Sequence, residues 1–205
     1  MKFEHYLKKV VTSEAYKNMK EEHPDSYLCT GFFVFDFETG KDIHQIDYAL
    51  KGKKVATFTL DHGVKMMVSE LPMKKKLPEI KTEIKTDITA LKGIVEDEMK
   101  NRIVTDNIKK IIALLQIIDG KVVWNLNCIT SNLNVLQVHI DDEDQTVLKF
   151  VKYSIMDFVK MVPKQPGAAM PAPSMKPQPN IQIIKQDPKQ PEEPEPAPEE
   201  PASEE

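Results

Sequence analysis

The sequence predicts an α+β fold: a two-layer domain in which an antiparallel meander sheet packs against two helices, with a disordered C-terminal tail. Three observations carry that prediction. Strand-like segments follow one another through short turns, which favours antiparallel neighbours. Two segments, one at the N-terminus and one after residue 85, repeat apolar residues at helical spacing. The third is a compositional break at Pro163: of the 15 prolines, 12 lie between Pro163 and Pro201, where no aromatic residue occurs and Ile181-Gln182-Ile183-Ile184 is the only apolar cluster. A chain so poor in apolar side chains cannot bury enough surface to offset its ordering entropy. The predicted boundaries are a domain over 1–161, with halves 1–69 and 86–161 around a Lys/Pro-rich connector, and a tail over 162–205.

Residues 3–22 place Phe3, Tyr6, Leu7, Val10 and Val11 on one helical stripe that Tyr16 and Met19 continue. Ser13, a competent N-cap, offers a division into two shorter helices, and Pro24-Asp25-Ser26 ends the run. Residues 27–37 are apolar on both parities, as expected of a central strand covered on both sides. Glu38-Thr39-Gly40-Lys41 turns the chain, with Gly40 free to take positive φ. Residues 43–50 put His44, Ile46, Tyr48 and Leu50 on one face and Gln45 and Asp47 on the other. Residues 54–60 follow with Ala56, Phe58 and Leu60 inward, and Val64–Val68 is a short extended piece at the sheet margin.

The connector over 70–85 holds Pro72, Pro78, Lys74, Lys75, Lys76, Lys81 and Lys85. A second helix begins at Thr86 or Asp87 and runs to about Arg102, with Ile88, Leu91, Val95 and Met99 as its buried stripe. The run 110–118 fits a buried helix or a buried strand by periodicity; Asp119-Gly120 after it favours a hairpin strand. Residues 121–130 alternate Val122, Trp124, Leu126 and Cys128 against Val123, Asn125, Asn127 and Ile129. Residues 133–140 put Leu136, Val138 and Ile140 inward, Gln137 and His139 outward. A solvated acidic turn, Asp141–Gln145, leads to 146–152 with Leu148 and Phe150 inward. Ser154 then caps a last helical turn over Ile155–Met161.

Residues 1–161 carry 24 Lys+Arg and 24 Asp+Glu while 162–205 carry 4 and 8, so the net charge of −4 belongs to the tail. A balanced body argues against a nucleic-acid partner, which would demand a basic face. No apolar run approaches the roughly 20 residues that span a bilayer, so no membrane partner is expected. The N-terminus lacks a secretory apolar region, and Cys29 and Cys128 look like buried free thiols. The expectation is a soluble cytoplasmic protein.

His5, His23, His44, His62 and His139 form no HExxH, and GxSxG, GxGxxG and GxxxxGK[ST] are absent from the sequence. No catalytic, cofactor-binding or metal-ligating set is predicted, and the chain is expected to be non-enzymatic. His139 and Asp141 share a strand face, but alternation turns Cys128 to the other, which disfavours a zinc site. Asp141–Asp144 has the acidic density of a calcium loop without its defining glycine and glutamate. The outward face of the second meander is harder to dismiss. Asn125, Asn127, Asn132, Asn134, Gln137 and His139 would form a polar, nearly uncharged patch. Solvation alone explains such a face in an antiparallel sheet, and a protein- or peptide-binding surface is the functional alternative. In the tail, Ile181, Ile183 and Ile184 form a candidate docking segment, able to add a strand to a sheet edge.

Two turns carry a family resemblance. Phe35-Asp36-Phe37-Glu38-Thr39-Gly40-Lys41-Asp42-Ile43 is similar to the strand–DxxTG–strand signature of PepSY-type domains. Ile140-Asp141-Asp142-Glu143-Asp144-Gln145-Thr146-Val147-Leu148 lies where the second half would carry the same turn, after a helix over 86–102 and a strand containing Trp124. Gln145 stands in place of the glycine. The resemblance covers 86–153 and, more loosely, 1–60. It implies helix-plus-meander modules without catalytic residues, extracytoplasmic and linked to protease regulation. The element order also resembles that of type III secretion chaperones, in topology alone.

The leading expectation is a non-catalytic protein- or peptide-interaction module. One alternative is a small-molecule binder or enzyme using a cup between helix and sheet, with His44, Asp47, Tyr48, Asp61 and His62 as the nearest polar groups. The other is a secretion-chaperone-like or assembly subunit.

Overall fold

The computed structural model describes residues 2–71, 76–81 and 83–154. The helical turn expected over 155–161 and the candidate docking segment Ile181, Ile183 and Ile184 lie outside the described residues. Two helices open the chain, α1 (Phe3–Val11) and α2 (Glu14–Glu22). Ser13 separates them by serving both: its hydroxyl donates to the Val10 carbonyl at 2.6 Å and accepts from the Tyr16 N–H at 3.2 Å. A meander follows, β1 (Tyr27–Asp36), β2 (Ile43–Leu50), β3 (Lys54–Thr59) and β4 (Lys65–Glu70). After the connector, Asp87 caps a 3-10 turn, Ile88–Ala90, that runs into α3 (Leu91–Asn101). The second meander is β5 (Ile108–Ile118), β6 (Lys121–Thr130), β7 (Asn134–Asp141) and β8 (Val147–Ser154).

All eight strands join one antiparallel sheet in the order β4-β3-β2-β1-β5-β6-β7-β8. Each meander grows outward from a shared seam, β1 against β5, so the halves are related by a local twofold normal to the sheet. The class is α+β as expected, with a larger sheet and one more helix than the sequence suggested. Val64–Val68 belongs to a full border strand, β4, and 110–118 is a strand, as the Asp-Gly turn indicated.

The helices lie on one face. Phe3 and Tyr6 of α1 meet Phe33 of β1 edge-on, with centroids 6.2 and 5.3 Å away, and Tyr16 of α2 packs on Tyr48 and Phe58. Gly31 permits this approach, since a Cβ there would sit 2.9 Å from the Phe3 ring. On the second half α3 buries Leu91, Val95 and Met99 in the same core cluster as Leu126, Leu136 and Val138. Its two ends are marked by cations over rings, Lys92 above Phe37 and Arg102 above Phe150. Trp124, fully buried, closes the core 5.9 Å from Phe33.

β1 is central as expected: Phe33 faces the described helices, while on the opposite face Val34 is also buried and Phe32 half-buried. Two expectations need correction. Leu148 is exposed, because the β7–β8 register shifts between His139 and Ile140, leaving Val147 and Phe150 facing inward. The acidic turn is also more than a solvated loop. Asp141 and Asp142 are buried, and the Asp142 carboxylate accepts from Trp124 Nε1 at 2.9 Å and from the backbone N–H groups of Lys85 and Thr86 at 2.8 and 3.1 Å. Thr86 Oγ1 donates to the Asp142 carbonyl, completing a knot that ties the connector to the sheet.

The turns that carried the family resemblance share one geometry. In each, the first Asp carboxylate accepts from the N–H two residues on, Glu38 or Glu143, and the N–H four residues on returns to the Asp carbonyl. The closing residue has positive φ in both, Gly40 at 66° and Gln145 at 62°. The missing glycine therefore leaves the turn type unchanged.

Replacing Asp142 by Ala strands two buried N–H donors and one part-buried donor and should cost about 3 kcal/mol in urea unfolding. Glu143→Ala removes only an exposed ion pair with Lys85 and should cost less than about 0.5 kcal/mol. Equal effects of the two substitutions would show that Asp142 does not organise the connector.

Candidate functional site

The register builds a continuous row across the face opposite the described helices. Gln45 lies opposite Phe32, Phe32 opposite Leu114, Leu114 opposite Asn125, Asn125 opposite His139, and His139 opposite Lys149, spanning β2 to β8. An adjoining row holds Asp47 between Thr57 and Thr30, and Gln116 beside Val123. Another sets Asn127 opposite Gln137. Val34, Val123 and Asn125 are buried, and they belong to none of the helix-side core.

This face concentrates unmet hydrogen-bonding capacity. Among the described residues, six buried side-chain polar atoms lack a hydrogen-bond partner, and four of them are here: Asp47 Oδ1, Gln116 Nε2, Asn125 Oδ1 and His139 Nε2. Native proteins leave few buried polar groups unpaired, so a cluster of them on one surface requires a reason. From β2 to β7 they cover about 19 Å at the usual strand spacing.

Burial opposes ionisation in the middle of the face. Burial pushes the Asp47 carboxyl up from 3.8 to about 6, opposed in part by a hydrogen bond from Thr57. Burial, with Lys149 nearby, holds His139 below its ordinary 6.5, favouring the neutral imidazole. Lys110 pairs with Asp36 at 2.9 Å and Lys121 with Asp141 at 2.8 Å, while Lys149 donates to the neutral amide of Gln137, whose Oε1 is 2.9 Å away. The result is a mixed surface of acceptors, an amide donor and an imidazole, interleaved with Phe32, Val34, Ile112 and Leu114.

Of the residues singled out in the sequence, Asn125, Asn127, Gln137 and His139 come together here. Asn134 does not. It shares the parity of Leu136 and Val138, and its Nδ2 donates to Asp106 at 2.8 Å on the helix side. There Asp106 also takes Thr130 and Lys152, in a closed polar knot with Asn132. Asp47, Gln116, Phe32 and Leu114 were not linked to this surface beforehand, because only the β1–β5 seam brings the two meanders side by side.

The polar groups proposed for a cup diverge. His44 stacks on Tyr6 at 4.8 Å on the helix side, with Nδ1 3.7 Å from Asp61, and Tyr48 is packed against Tyr16 and Phe58. Asp47 points to the opposite face and His62 to solvent. An open groove of about 310 Å³ lies elsewhere, lined by Tyr27, Leu50, Lys51, Lys54 and Lys76 among others. Cys29 and Cys128 are free and buried, and burial pushes both thiols up to about 12, away from nucleophilic use. Among the described residues no group of three or more His, Cys, Asp or Glu is placed to hold a metal ion, and no helix is long and apolar enough to cross a membrane.

No family model matches the sequence, and no curated protein matches it. Among solved structures it is similar to the crystal structure of a putative lipoprotein from Clostridium difficile 630, at 13% identity and a TM-score of 0.47, covering 68% of this chain and 91% of that one.

Asp47 gives the face a pH signature. Its folded-state carboxyl titrates above the ordinary value, so its contribution to stability is complete below about pH 4 and is lost as pH rises through about 6. Asp47→Asn, which does not titrate, should match the parent near pH 4 and exceed it by about 2 kcal/mol at pH 7–8. Urea midpoints at the two pH values measure this; a difference that stays constant with pH would show that the carboxyl is not buried as its charged form.

Proposed function

We propose that the chain is a non-catalytic interaction module that binds a polypeptide on the sheet face opposite the described helices. The observation that carries this reading is the set of unpartnered atoms on Asp47, Gln116, Asn125 and His139, set among half-buried apolar side chains on adjoining strands. A polypeptide brings N–H and C=O groups together, which suits a surface offering both acceptors and donors. Phe32, Leu114 and Ile112 supply apolar contact between those polar points, the usual division between energy and specificity at an interface. An anionic partner such as nucleic acid fits poorly, because the lysines on the face are already engaged with Asp36, Asp141 and Gln137.

The test selects peptides from a displayed random library against the full chain and maps them by chemical-shift changes on the unmodified protein. Binders should perturb Phe32, Leu114, Asn125 and His139. Asn127→Arg should weaken them at least about tenfold, and Lys17→Glu on the outer side of α2 should leave them unchanged. Failure to select any binder, or shifts confined to the helices, would overturn the proposal.

A further inference from the structure

At one end of the first meander lies the groove of about 310 Å³, which shares no lining residue with the sheet face described above. Paired strand positions contribute to it, Tyr27 opposite Ala49 and Leu50 opposite Lys54. Ala49 and Leu50 are buried. Two hydrogen bonds tie the connector to these strands. The Leu71 N–H donates to the Lys53 carbonyl at 2.7 Å, and Tyr27 Oη donates to the Leu77 carbonyl at 2.9 Å. The recess is pre-formed, as small-molecule sites usually are, and its volume stands at the lower end of their range.

Its charge is of one sign. Among the described residues, Lys51, Lys53, Lys54 and Lys76 line the groove against a single acid, Asp25, and Asp25 pairs with Lys51. Lys53, Lys54 and Lys76 are exposed and form no ion pair among the described residues; Lys76 Nζ lies 5.3 Å from the centre of the Tyr27 ring. Glu70, opposite Lys54 in the ladder, and Glu79, paired with Lys81 at 3.6 Å, are not part of the lining. Lys53 has a φ of 61°, where glycine or asparagine is the ordinary occupant, so backbone preference does not select the lysine. Like charges gathered around one recess repel one another, and a bound anion relieves that repulsion.

We infer that the groove binds a small phosphate monoester with an apolar body. Such a head carries about −1.5 to −2 charges at pH 7 and three acceptor oxygens, a closer match to three unpaired lysines than a carboxylate. Leu50, Leu71 and Leu77 give the apolar part its contact. The volume admits a free ester and is too small for the two acyl chains of a phospholipid.

Chemical-shift titration of the full chain with monooctyl phosphate tests the inference. Saturable shifts should centre on Tyr27, Ala49, Leu50 and Lys54. Octanol, which keeps the apolar body, and inorganic phosphate, which keeps the charge, should each bind at least about tenfold more weakly. Lys53→Asn combined with Lys54→Gln and Lys76→Gln should weaken monooctyl phosphate at least about tenfold and leave the urea midpoint in place, because all three side chains are exposed and asparagine accepts the positive φ. Absence of saturable binding, equal affinity of the triple variant, octanol binding as tightly as the ester, or shifts centred on Phe32, Leu114 and His139 overturns the inference. Co-sedimentation with phosphatidic acid vesicles without binding of monooctyl phosphate would assign the lysines to a lipid surface and overturn it as well. None of these results depends on peptide binding at the face opposite the described helices.

Discussion

The β1–β5 ladder is the constraint from which the rest follows. It pairs Gly31 with Leu115 and Phe33 with Ala113, a small residue facing a large one at two successive positions on the helix side. That complementarity fixes the register, because a slip of one residue would turn Phe32 and Val34 into the core and Phe33 out of it. The void left by Gly31 is filled by Phe3, so the seam also positions α1. Without it each half would be a four-stranded meander with one more unpaired edge. With it, two short meanders become one sheet, and two partial outward faces become one surface that neither half has alone.

The second constraint closes the chain between the halves. A connector rich in lysine and proline has little of its own to hold it, yet Ile80, Ile84 and Ile88 enter the core. Asp142 makes that possible by accepting the indole N–H of Trp124 with two connector N–H groups, which satisfies polar groups that burial would otherwise penalise. The other acidic groups at the strand ends act in the same sense. Asn134 and then Lys152 and Asn132 hold the Asp106 carboxyl below its ordinary range, and Lys121 does the same for Asp141. Their contributions are present above the ordinary carboxylate pKa and fade as acid protonates them, opposite in sign to Asp47.

Strand parity was legible wherever the alternation was clean, as in Val122, Trp124, Leu126 and Cys128, and the Asp-Gly turn resolved 110–118. The helix stripes of α1 and α3 were legible for the same reason. What could not be seen were features created by pairing. The bulge that exposes Leu148 arises from the β7–β8 register, and the burial of Asp142 needs Trp124 and a connector 56 or 57 residues earlier. Asn134 was grouped with Gln137 and His139 by composition, although its even position puts it with Leu136 and Val138. Of the six residues grouped as an outward face, Asn125, Asn127, Gln137 and His139 share one side of the sheet, but the larger part of that side, from Asp47 to Leu114, depends on a seam between segments about 80 residues apart. The apolar character of β1 on both parities was its trace in the sequence.

The second meander offers an internal control for the meaning of its polar residues. At one end of β7, on the helix side, Thr130, Asn132, Asn134 and Lys152 all converge on Asp106, so polar side chains there are spent on structure. A few residues along the same strands, on the opposite face, Asn125 and His139 stand directly opposite each other with an acceptor and a ring nitrogen unpaired. The fold is thus able to satisfy such groups where they serve the fold alone. Leucine or valine at 125 and 139 would cost less, since an unpaired buried polar atom is unfavourable by about 1–3 kcal/mol and an apolar side chain there would be neutral or better.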